Sequence, residues 1–280
     1  MNNKISIVTA FFDIGRGEIG EGFPSYLKRT TETYFEYFSY LASLENEMVV
    51  FTSEEWKDKI LEMRKGKPTE VIVVNLRKKF RNQLEIIGKI QKSDEFRKRV
   101  NKEMLVNIEY WSPEYVLINN LKAYFVNCAI RKKLLNNELV SWVDFGYIRE
   151  KETLNNVKCW RYGFNKENIH LFKIRRKCPL KKREDVYNAI FNNSVFVIGG
   201  AIVGTQEKWK VFYRLLKRNQ NELLMENIVD DDQGLYMMSI FKEPGLFKIN
   251  YLGKDNWFGL FKRYDETSKV SIFEKMKDLL

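Results

Sequence analysis

The sequence predicts an α/β fold, a single domain in which helices flank a mostly parallel sheet. Short runs of apolar and β-branched residues alternate along the chain with segments whose apolar residues recur at helical spacing. No Pro-, Gly- or Ser-rich linker divides the 280 residues, and the sequence contains no internal repeat. Such alternation is typical of βαβ units, which set strands parallel.

The first half of the chain supplies four of the predicted strands. They are the apolar, β-branched runs 4–12, 48–52, 70–76 and 139–148. Helices are predicted between them at 25–44, 54–64, 77–108 and 112–135. Ser53 is expected to cap the second of these helices, and Pro113 suits the first turn of the last one.

The second half is predicted to continue the same alternation. Short strands are expected in 157–175 and a buried strand at 195–205, broken by the pair Gly199 and Gly200. Helices are predicted at 184–192, at 207–226 and through 230–241. Ligands of parallel sheets bind at the carboxyl ends of strands, so chemistry is expected after strand 4–12 and after Trp142.

The composition restricts the classes of function. Lys and Arg number 48 against 37 Asp and Glu, and the net charge of +11 predicts an anionic partner. A single histidine excludes a His-cluster metal site, and His170 is interpreted as a structural residue. Cys128, Cys159 and Cys178 are widely spaced and odd in number, which predicts reduced thiols in a cytosolic protein.

The protein is predicted to be either soluble or peripheral at a membrane. The longest apolar stretch, 195–204, is about half of the ~20 residues that a membrane span needs, and the N-terminus does not resemble a signal peptide. Residues 173–183 contain seven Lys or Arg in eleven positions, a density that suits an anionic bilayer surface. No zinc-finger, RRM or KH signature supports nucleic acid as the partner.

A glycine-rich loop follows the first strand. Gly15 to Gly20 matches GxGxxG, but Gly22 and Pro24 extend the loop where a dinucleotide site needs a helix. The loop is therefore interpreted either as a turn beside a phosphate, with Arg16 pairing with a diphosphate, or as a plain flexible loop.

Two acidic segments and one glycine pair are the other candidates. Asp144 ends a strand and either caps a turn or holds a divalent ion. Asp230–Asp232 is either a solvated helix N-terminus or the source of a general base or sugar contact. Gly199 and Gly200 indicate close approach of a ligand or a tight bend.

Three segments in combination resemble the HtrL/YibB family, also called WlaTC/HtrL. They are TAFFDIGRG (9–17), SWVDFGYIR (141–149) and DDDQGLY (230–236), and the resemblance covers nearly the whole chain. That family is associated with bacterial lipopolysaccharide and surface-glycan gene clusters and is grouped with GT-A-type glycosyltransferases. The resemblance implies one GT-A-like, Rossmann-like domain over 1–280. Its nucleotide-binding half is expected at about 1–150 and its acceptor-side half at about 151–280.

The resemblance also implies a set of site residues. Nucleotide binding is expected at Thr9, Ala10, Phe11, Phe12, Asp13, Arg16 and Asp144. Asp144 is the expected ligand of Mn²⁺ or Mg²⁺, with Gly146 standing where many such enzymes carry a second Asp. Contacts to the donor or acceptor sugar are expected from Gly199, Gly200 and Gln233. Asp231 and Asp232 are the expected catalytic residues.

The function implied is that of a hexosyltransferase. It would move a sugar from a nucleotide diphosphate sugar, with UDP expected, to a hydroxyl of lipopolysaccharide core, lipooligosaccharide or capsule. The expected location is the cytoplasm, peripheral on the inner membrane face through 173–183, without nucleic acid. Two alternatives stay open: a non-catalytic protein that binds polyanions or glycans, and another nucleotide-dependent transferase such as a nucleotidyltransferase.

Overall fold

The central sheet follows the predicted alternation closely. In the computed structural model, residues 3–177 and 180–268 are described. The strands in these residues are β1 (Ile5–Phe11), β2 (Met48–Thr52), β3 (Thr69–Val73), β4 (Leu139–Val143), β5 (Ile169–Lys173), β6 (Val197–Thr205) and β7 (Phe247–Tyr251). Their order across the sheet is β3-β2-β1-β4-β6-β5-β7. Only β6 runs antiparallel to its neighbours among these strands, so the predicted α/β class with a mostly parallel sheet is confirmed.

Helices cover both faces of the sheet. In chain order they are α1 (Thr31–Ala42), α2 (Lys57–Met63), α3 (Leu76–Lys79), α4 (Arg81–Lys92), α5 (Asp94–Arg99), α6 (Pro113–Asn120), α7 (Lys122–Arg131), α8 (Arg183–Phe191), α9 (Gln206–Met225), α10 (Gln233–Lys242) and α11 (Leu260–Arg263). Side chains alternate along β1, so Val8 and Ala10 pack in one core with α3 to α10, whereas Ile5, Ile7 and Phe11 pack in another with α1, α2 and α11. The sheet is therefore buried on both sides.

Two predicted helix starts differ from those in the structure, and the capping hydrogen bonds show why. α1 begins later than the predicted 25–44 because the Thr30 hydroxyl accepts a hydrogen bond from the Thr33 amide at 3.2 Å. The expected cap at Ser53 is wrong, since its side chain makes no capping bond to the short helical segment that follows.

Four predicted elements have a different extent. The helix expected over 112–135 is divided at Leu121 into α6 and α7. The helical region 77–108 contains α4 and α5 followed by 3₁₀ turns. Several short strands are expected within 157–175, and the described structure has one there, β5. The glycine pair lies inside β6 and does not end the strand, although the pairing of β6 with β5 shifts register across it.

One edge of the sheet gathers the ends of three strands. The carboxyl ends of β1 and β4 lie there beside the amino end of antiparallel β6, and the Asp144 amide donates to the Gly200 carbonyl at 2.9 Å. The loops that follow β1 and β4 consequently meet, as expected for the ligand-binding edge of an α/β sheet.

The thiols and the histidine agree with structural roles. Cys128 and Cys159 are free thiols, and Cys178 lies outside the described residues. His170 is buried in β5, with Nε2 2.9 Å from the Asn165 carbonyl and Nδ1 3.2 Å from the Asn250 amide. Burial lowers the pKa of His170, which favours the neutral ring. Across the described ranges, none of the helices has the length and apolar character that crossing a membrane requires.

Candidate active site

A cleft of about 550 Å³ opens at this edge of the sheet. Its walls come from the loop after β1, the start of α7, the end of β4, the start of β6 and the loop before α10. The predicted site residues in these walls are Ala10, Phe11, Phe12, Asp13, Arg16, Asp144, Gly199, Gly200, Asp231, Asp232 and Gln233. Thr9 is fully buried within β1 and does not line the cleft. Segments separated by more than a hundred residues of sequence therefore share one cavity.

Lys122 lies at the floor of the cleft and was not anticipated from the sequence. Its Nζ is 2.9 Å from Asp144 Oδ1, forms an ion pair with the Asp232 carboxylate, and donates to the Gly199 carbonyl at 2.9 Å. The side chain is 3% exposed. Burial disfavours its charge, but Asp144 and Asp232 raise the pKa of Lys122 above its ordinary value. Lys122 is therefore a buried cation whose charge the two carboxylates stabilise.

Asp144 connects this floor to the open cleft. Its Oδ1 accepts a hydrogen bond from the Trp142 indole at 2.7 Å in addition to the contact with Lys122. The side chain is 39% exposed, so the carboxylate also faces the cavity. The strand end holds Asp144 in place, since its own amide is bonded to β6.

The glycine pair is explained by side chains of the protein itself. A Cβ at Gly199 would lie 1.9 Å from Asp232 Oδ2, and a Cβ at Gly200 would lie 2.8 Å from Tyr147 Cδ2. β6 continues through both residues, but its pairing with β5 is irregular between Ile198 and Val203, the stretch that contains the pair. The absence of a side chain at Gly199 is what lets the Asp232 carboxylate reach Lys122.

Asp230 is half-buried and the two acids that follow it are buried, so the interpretation of this acidic run as a solvated helix start is wrong. Asp231 and Asp232 are 9% and 2% exposed. The Asp230 and Asp231 carboxylates accept hydrogen bonds from backbone amides of the first turn of α10, and the Asn120 amide donates to the carbonyls of both residues. Burial raises the pKa of Asp231 to about 6, with a contribution from the charge of Glu109. Burial also raises the pKa of Asp232, against the effect of Lys122.

Glu109 is a further acid that sequence reasoning missed. It is 6% exposed, lines the cleft, and its Oε1 has no hydrogen-bond partner among the described residues. Burial raises the pKa of Glu109 to about 7, although the charge of Arg16 lowers it. No local pattern distinguishes this residue, since a single Glu within a 3₁₀ turn, here Ile108–Tyr110, is ordinary.

Three arginines that line the cleft form a positive cluster. Arg16, predicted from the glycine-rich loop, is joined by Arg29 and Arg149. Burial and the charges of Arg29 and Arg16 lower the pKa of Arg149. Within the described ranges no carboxylate lies within 4 Å of these three guanidinium groups. Like charges held together without a counterion make an anion-binding wall.

Neighbouring groups hold the side chains of Arg16 and Arg149 in place. Arg16 donates from Nε and Nη2 to the Leu27 carbonyl, at 3.0 and 2.8 Å, and from Nη1 to the Tyr34 hydroxyl at 2.7 Å. The Arg149 guanidinium lies over the Phe258 ring at 4.7 Å from its centroid. Arg149 closes the segment 141–149 that carried the family resemblance, so that segment was the signal by which it could have been found.

The residues around Asp144 do not fit a divalent cation. The described part of the chain contains no group of three or more His, Cys, Asp or Glu placed to hold a metal ion. The position between Asp144 and Asp232 is filled by Lys122. A Cβ at Gly146, the place of the usual second Asp, would lie 3.1 Å from the Tyr34 ring. Oxygen-seeking ions such as Mg²⁺ need more carboxylate or carbonyl ligands than one exposed Asp supplies.

The basic segment 173–183 is only partly described, because Cys178 and Pro179 lie outside the described residues. Arg183 does not face an anionic surface freely, since its guanidinium pairs with Glu222 at 2.7 Å and with Glu226. Docking to a bilayer through this segment stays a prediction.

The fold is that of an α/β protein with a charged cleft at the carboxyl edge of its sheet. The chain belongs to the family described as bacterial protein of unknown function (HtrL_YibB), which matches residues 3–266. It is 47% identical to Protein HtrL of Escherichia coli (strain K12) over 264 residues, which cover 94% of this chain and 93% of that protein. The resemblance inferred from the three segments is confirmed.

A solved structure with a related chain path is the crystal structure of mouse xyloside xylosyltransferase 1 in its apo form. The TM-score is 0.43 and the identity 10%, over 88% of this chain and 84% of that chain. A likeness at this score does not indicate a shared activity.

Proposed function

We propose that this protein is a glycosyltransferase, which moves a sugar from a nucleotide diphosphate sugar to a hydroxyl group of an acceptor. The observation that carries the proposal is one cleft lined by two groups of opposite charge. Arg16, Arg29 and Arg149 form a cationic wall, with no carboxylate of the described residues within 4 Å of their guanidinium groups, and Asp144, Asp231 and Asp232 form an acidic wall. A diphosphate sugar has the complementary shape, with an anionic end and a hydroxyl-rich end.

The cationic wall would bind and stabilise the diphosphate. Guanidinium groups match phosphate oxygens in pairs of hydrogen bonds, and the diphosphate gains negative charge as the bond to the sugar breaks. Asp13 is fixed at this end of the cleft by the Gly15 amide at 2.8 Å and the Thr31 hydroxyl at 2.6 Å. Its place beside the carboxyl end of β1 supports a role near the nucleotide.

The acidic wall would act on the acceptor. In an inverting transfer the acceptor hydroxyl gives its proton to a carboxylate while its oxygen bonds to the sugar carbon, and the electron pair of the broken bond leaves on the diphosphate. Asp231 and Asp232 are the proposed proton acceptors. In a retaining transfer they would position the donor sugar together with Gly199, Gly200 and Gln233. The pKa of Asp231 is raised to about 6 and that of Asp232 to about 7, so activity should fall as the pH drops through this range and the acids take up protons.

The finer proposal names the donor and the acceptor. A UDP-hexose donor and an acceptor from lipopolysaccharide core, lipooligosaccharide or capsule follow from the family's association with surface-glycan clusters. The net charge of +11 supports an anionic glycolipid acceptor at the cytoplasmic face of the inner membrane.

Thermal melting with UDP, GDP and CMP, and with their sugars, tests this proposal. A nucleotide at 100 times its dissociation constant adds about 2.7 kcal/mol to the free energy of unfolding. Arg149→Ala should weaken nucleotide binding roughly tenfold or more, because a hydrogen bond to a charged group contributes about 1.5–3 kcal/mol. Arg218→Ala is the matched control, since Arg218 is exposed and pairs with Glu243 far from the cleft.

A flat panel across all nucleotides would contradict the proposal. Binding to polyanions that falls steeply with salt would then favour the non-catalytic alternative. Preference for a nucleoside triphosphate over a diphosphate sugar would favour a nucleotidyltransferase.

A further inference from the structure

We infer that the ammonium group of Lys122 is the resident cation of this cleft, placed between Asp144 and Asp232 where a divalent ion would otherwise lie, so that nucleoside diphosphate binding needs no metal. The inference rests on the proposed function for its ligand class. Its first part, the identity of the cation, is independent of any ligand.

The hydrogen bonding of Lys122 is complete. An ammonium group has three donors, and Lys122 has three acceptors: Asp144 Oδ1, the Asp232 carboxylate and the Gly199 carbonyl. No donor remains to reach a diphosphate. Lys122 is therefore a positioning residue, which joins the carboxylate that ends β4 to the one that precedes α10.

The surrounding backbone is arranged around this contact. Leu121 separates α6 from α7, so Lys122 opens a new helix at the floor of the cleft. A cation in the first turn is unfavourable for a helix, whose N-terminus carries partial positive charge. Gly199 leaves the space that the Asp232 carboxylate occupies. A lysine in the first turn of a helix and a glycine within a strand are each locally unfavourable, and both are needed to keep an ammonium group between the two acids.

A metal ion has no equivalent place. To lie between Asp144 and Asp232 it would have to displace a side chain that is 3% exposed. At the outer face of Asp144 it would find one carboxylate, because Gly146 packs against the Tyr34 ring. The charge of a diphosphate is instead matched by the wall of Arg16, Arg29 and Arg149.

The first experiment uses Mn²⁺ alone, without nucleotide. The melting temperature of the wild-type protein should be the same in Mn²⁺ and in EDTA. Lys122→Met keeps the apolar stem and leaves Asp144 and Asp232 facing each other, so this variant should be less stable in EDTA and gain stability from Mn²⁺. Lys242→Met is the matched control, because Lys242 also joins Asn219 and Glu222 but lies outside the cleft. It should show no gain.

Two outcomes of this arm would overturn the inference. One is stabilisation of the wild type by Mn²⁺ that Asp144→Asn removes. The other is a folded Lys122→Met variant that stays insensitive to Mn²⁺. If Lys122→Met does not fold, electron paramagnetic resonance of Mn²⁺ added to the wild type decides, since bound Mn²⁺ sensitive to Asp144→Asn is the overturning result.

The second experiment measures nucleoside diphosphate binding by calorimetry in EDTA and in Mn²⁺. Equal dissociation constants in both are expected, and binding that disappears in EDTA would overturn the inference. If no nucleotide binds under either condition, the proposed function fails, while the Mn²⁺ measurements still decide whether Lys122 is the resident cation.

Discussion

The pKa values of two buried glutamates are shifted in opposite directions at the two edges of the sheet, the amino edge where its parallel strands begin and the carboxyl edge where they end. Glu47 lies at the amino ends of β1, β2 and β4, and Glu109 lies in the cleft at the carboxyl ends of β1 and β4. Their exposures are nearly equal, at 8% and 6%. Burial opposes ionisation of both acids, yet the pKa of Glu47 is lowered and that of Glu109 is raised.

The difference lies in the hydrogen-bond donors. Burial opposes ionisation of Glu47, but its carboxylate accepts hydrogen bonds from Ser6 and from the backbone and side-chain amides of Asn136 and Asn137, and these lower its pKa. Glu109 has an oxygen without a partner among the described residues. The Glu109 carboxylate has fewer donors, from Asn193 and its own backbone, and they do not offset the effect of burial on its pKa. A buried acid with its donors in place holds strand ends together, whereas one with an unpaired oxygen costs stability.

The largest change in the free energy of unfolding is expected from breaking the ion pair between Lys122 and Asp232 at the carboxyl edge. Gly199→Ala puts a methyl group where the Asp232 carboxylate lies, and so separates Asp232 from Lys122. Breaking a buried ion pair costs about 3–5 kcal/mol, which urea denaturation would measure. Gly245→Ala is the matched control, since no atom lies within 4 Å of its added Cβ. Equal stability of the two variants would contradict the contact.

The next largest effect has the opposite sign. The folded-state pKa of Glu109 is raised to about 7 from 4.5, so the folded protein takes up a proton, and this stabilisation is present below pH 4.5 and lost as the pH rises through 7. Glu109→Gln should therefore be more stable than the wild type above pH 7, by about 3 kcal/mol, and equal to it at low pH. Exposed Glu103→Gln should show neither change. A destabilised Glu109→Gln at pH 8 would indicate a structural partner for this acid.

The smallest effect tests the amino edge. The pKa of Glu47 is lowered, so its stabilisation is present above pH 4.5 and lost as the pH falls through the folded-state pKa. Glu47→Gln should destabilise the protein at neutral pH by about 1–3 kcal/mol, because an amide group then meets the donors of Asn136 and Asn137. The exposed neighbour Glu45→Gln serves as control. If Glu47→Gln and Glu109→Gln shift stability in the same direction, the contrast between the edges is wrong.

The strands were predictable because their pattern is continuous. Runs such as 4–12 and 48–52 are apolar on both faces, which only a sheet covered by helices on both sides accommodates. The combination of 9–17, 141–149 and 230–236 located the cleft walls, since each segment follows a strand or begins a helix at the same edge.

The break between α6 and α7 was not predictable from the pattern. The apolar stripe of 112–135 continues through it, and the break coincides with a tertiary contact, in which the Asn120 amide donates to the carbonyls of Asp230 and Asp231. Lys122 was overlooked for the same reason. In the sequence it is an ordinary lysine within the helix predicted over 112–135, and its two acidic partners lie elsewhere in the chain.

The sequence by itself determined the α/β class, the family and the edge of the sheet at which the site lies, because these follow from local periodicity and short segments. Only the tertiary structure decided which charges meet: Lys122 with Asp144 and Asp232, the three arginines with one another, and Glu109 with no donor for Oε1. Pairing and burial set the energy of a charge. Both depend on atoms a few ångströms apart in space whose residues are distant in sequence, as with the 110 positions that separate Lys122 from Asp232.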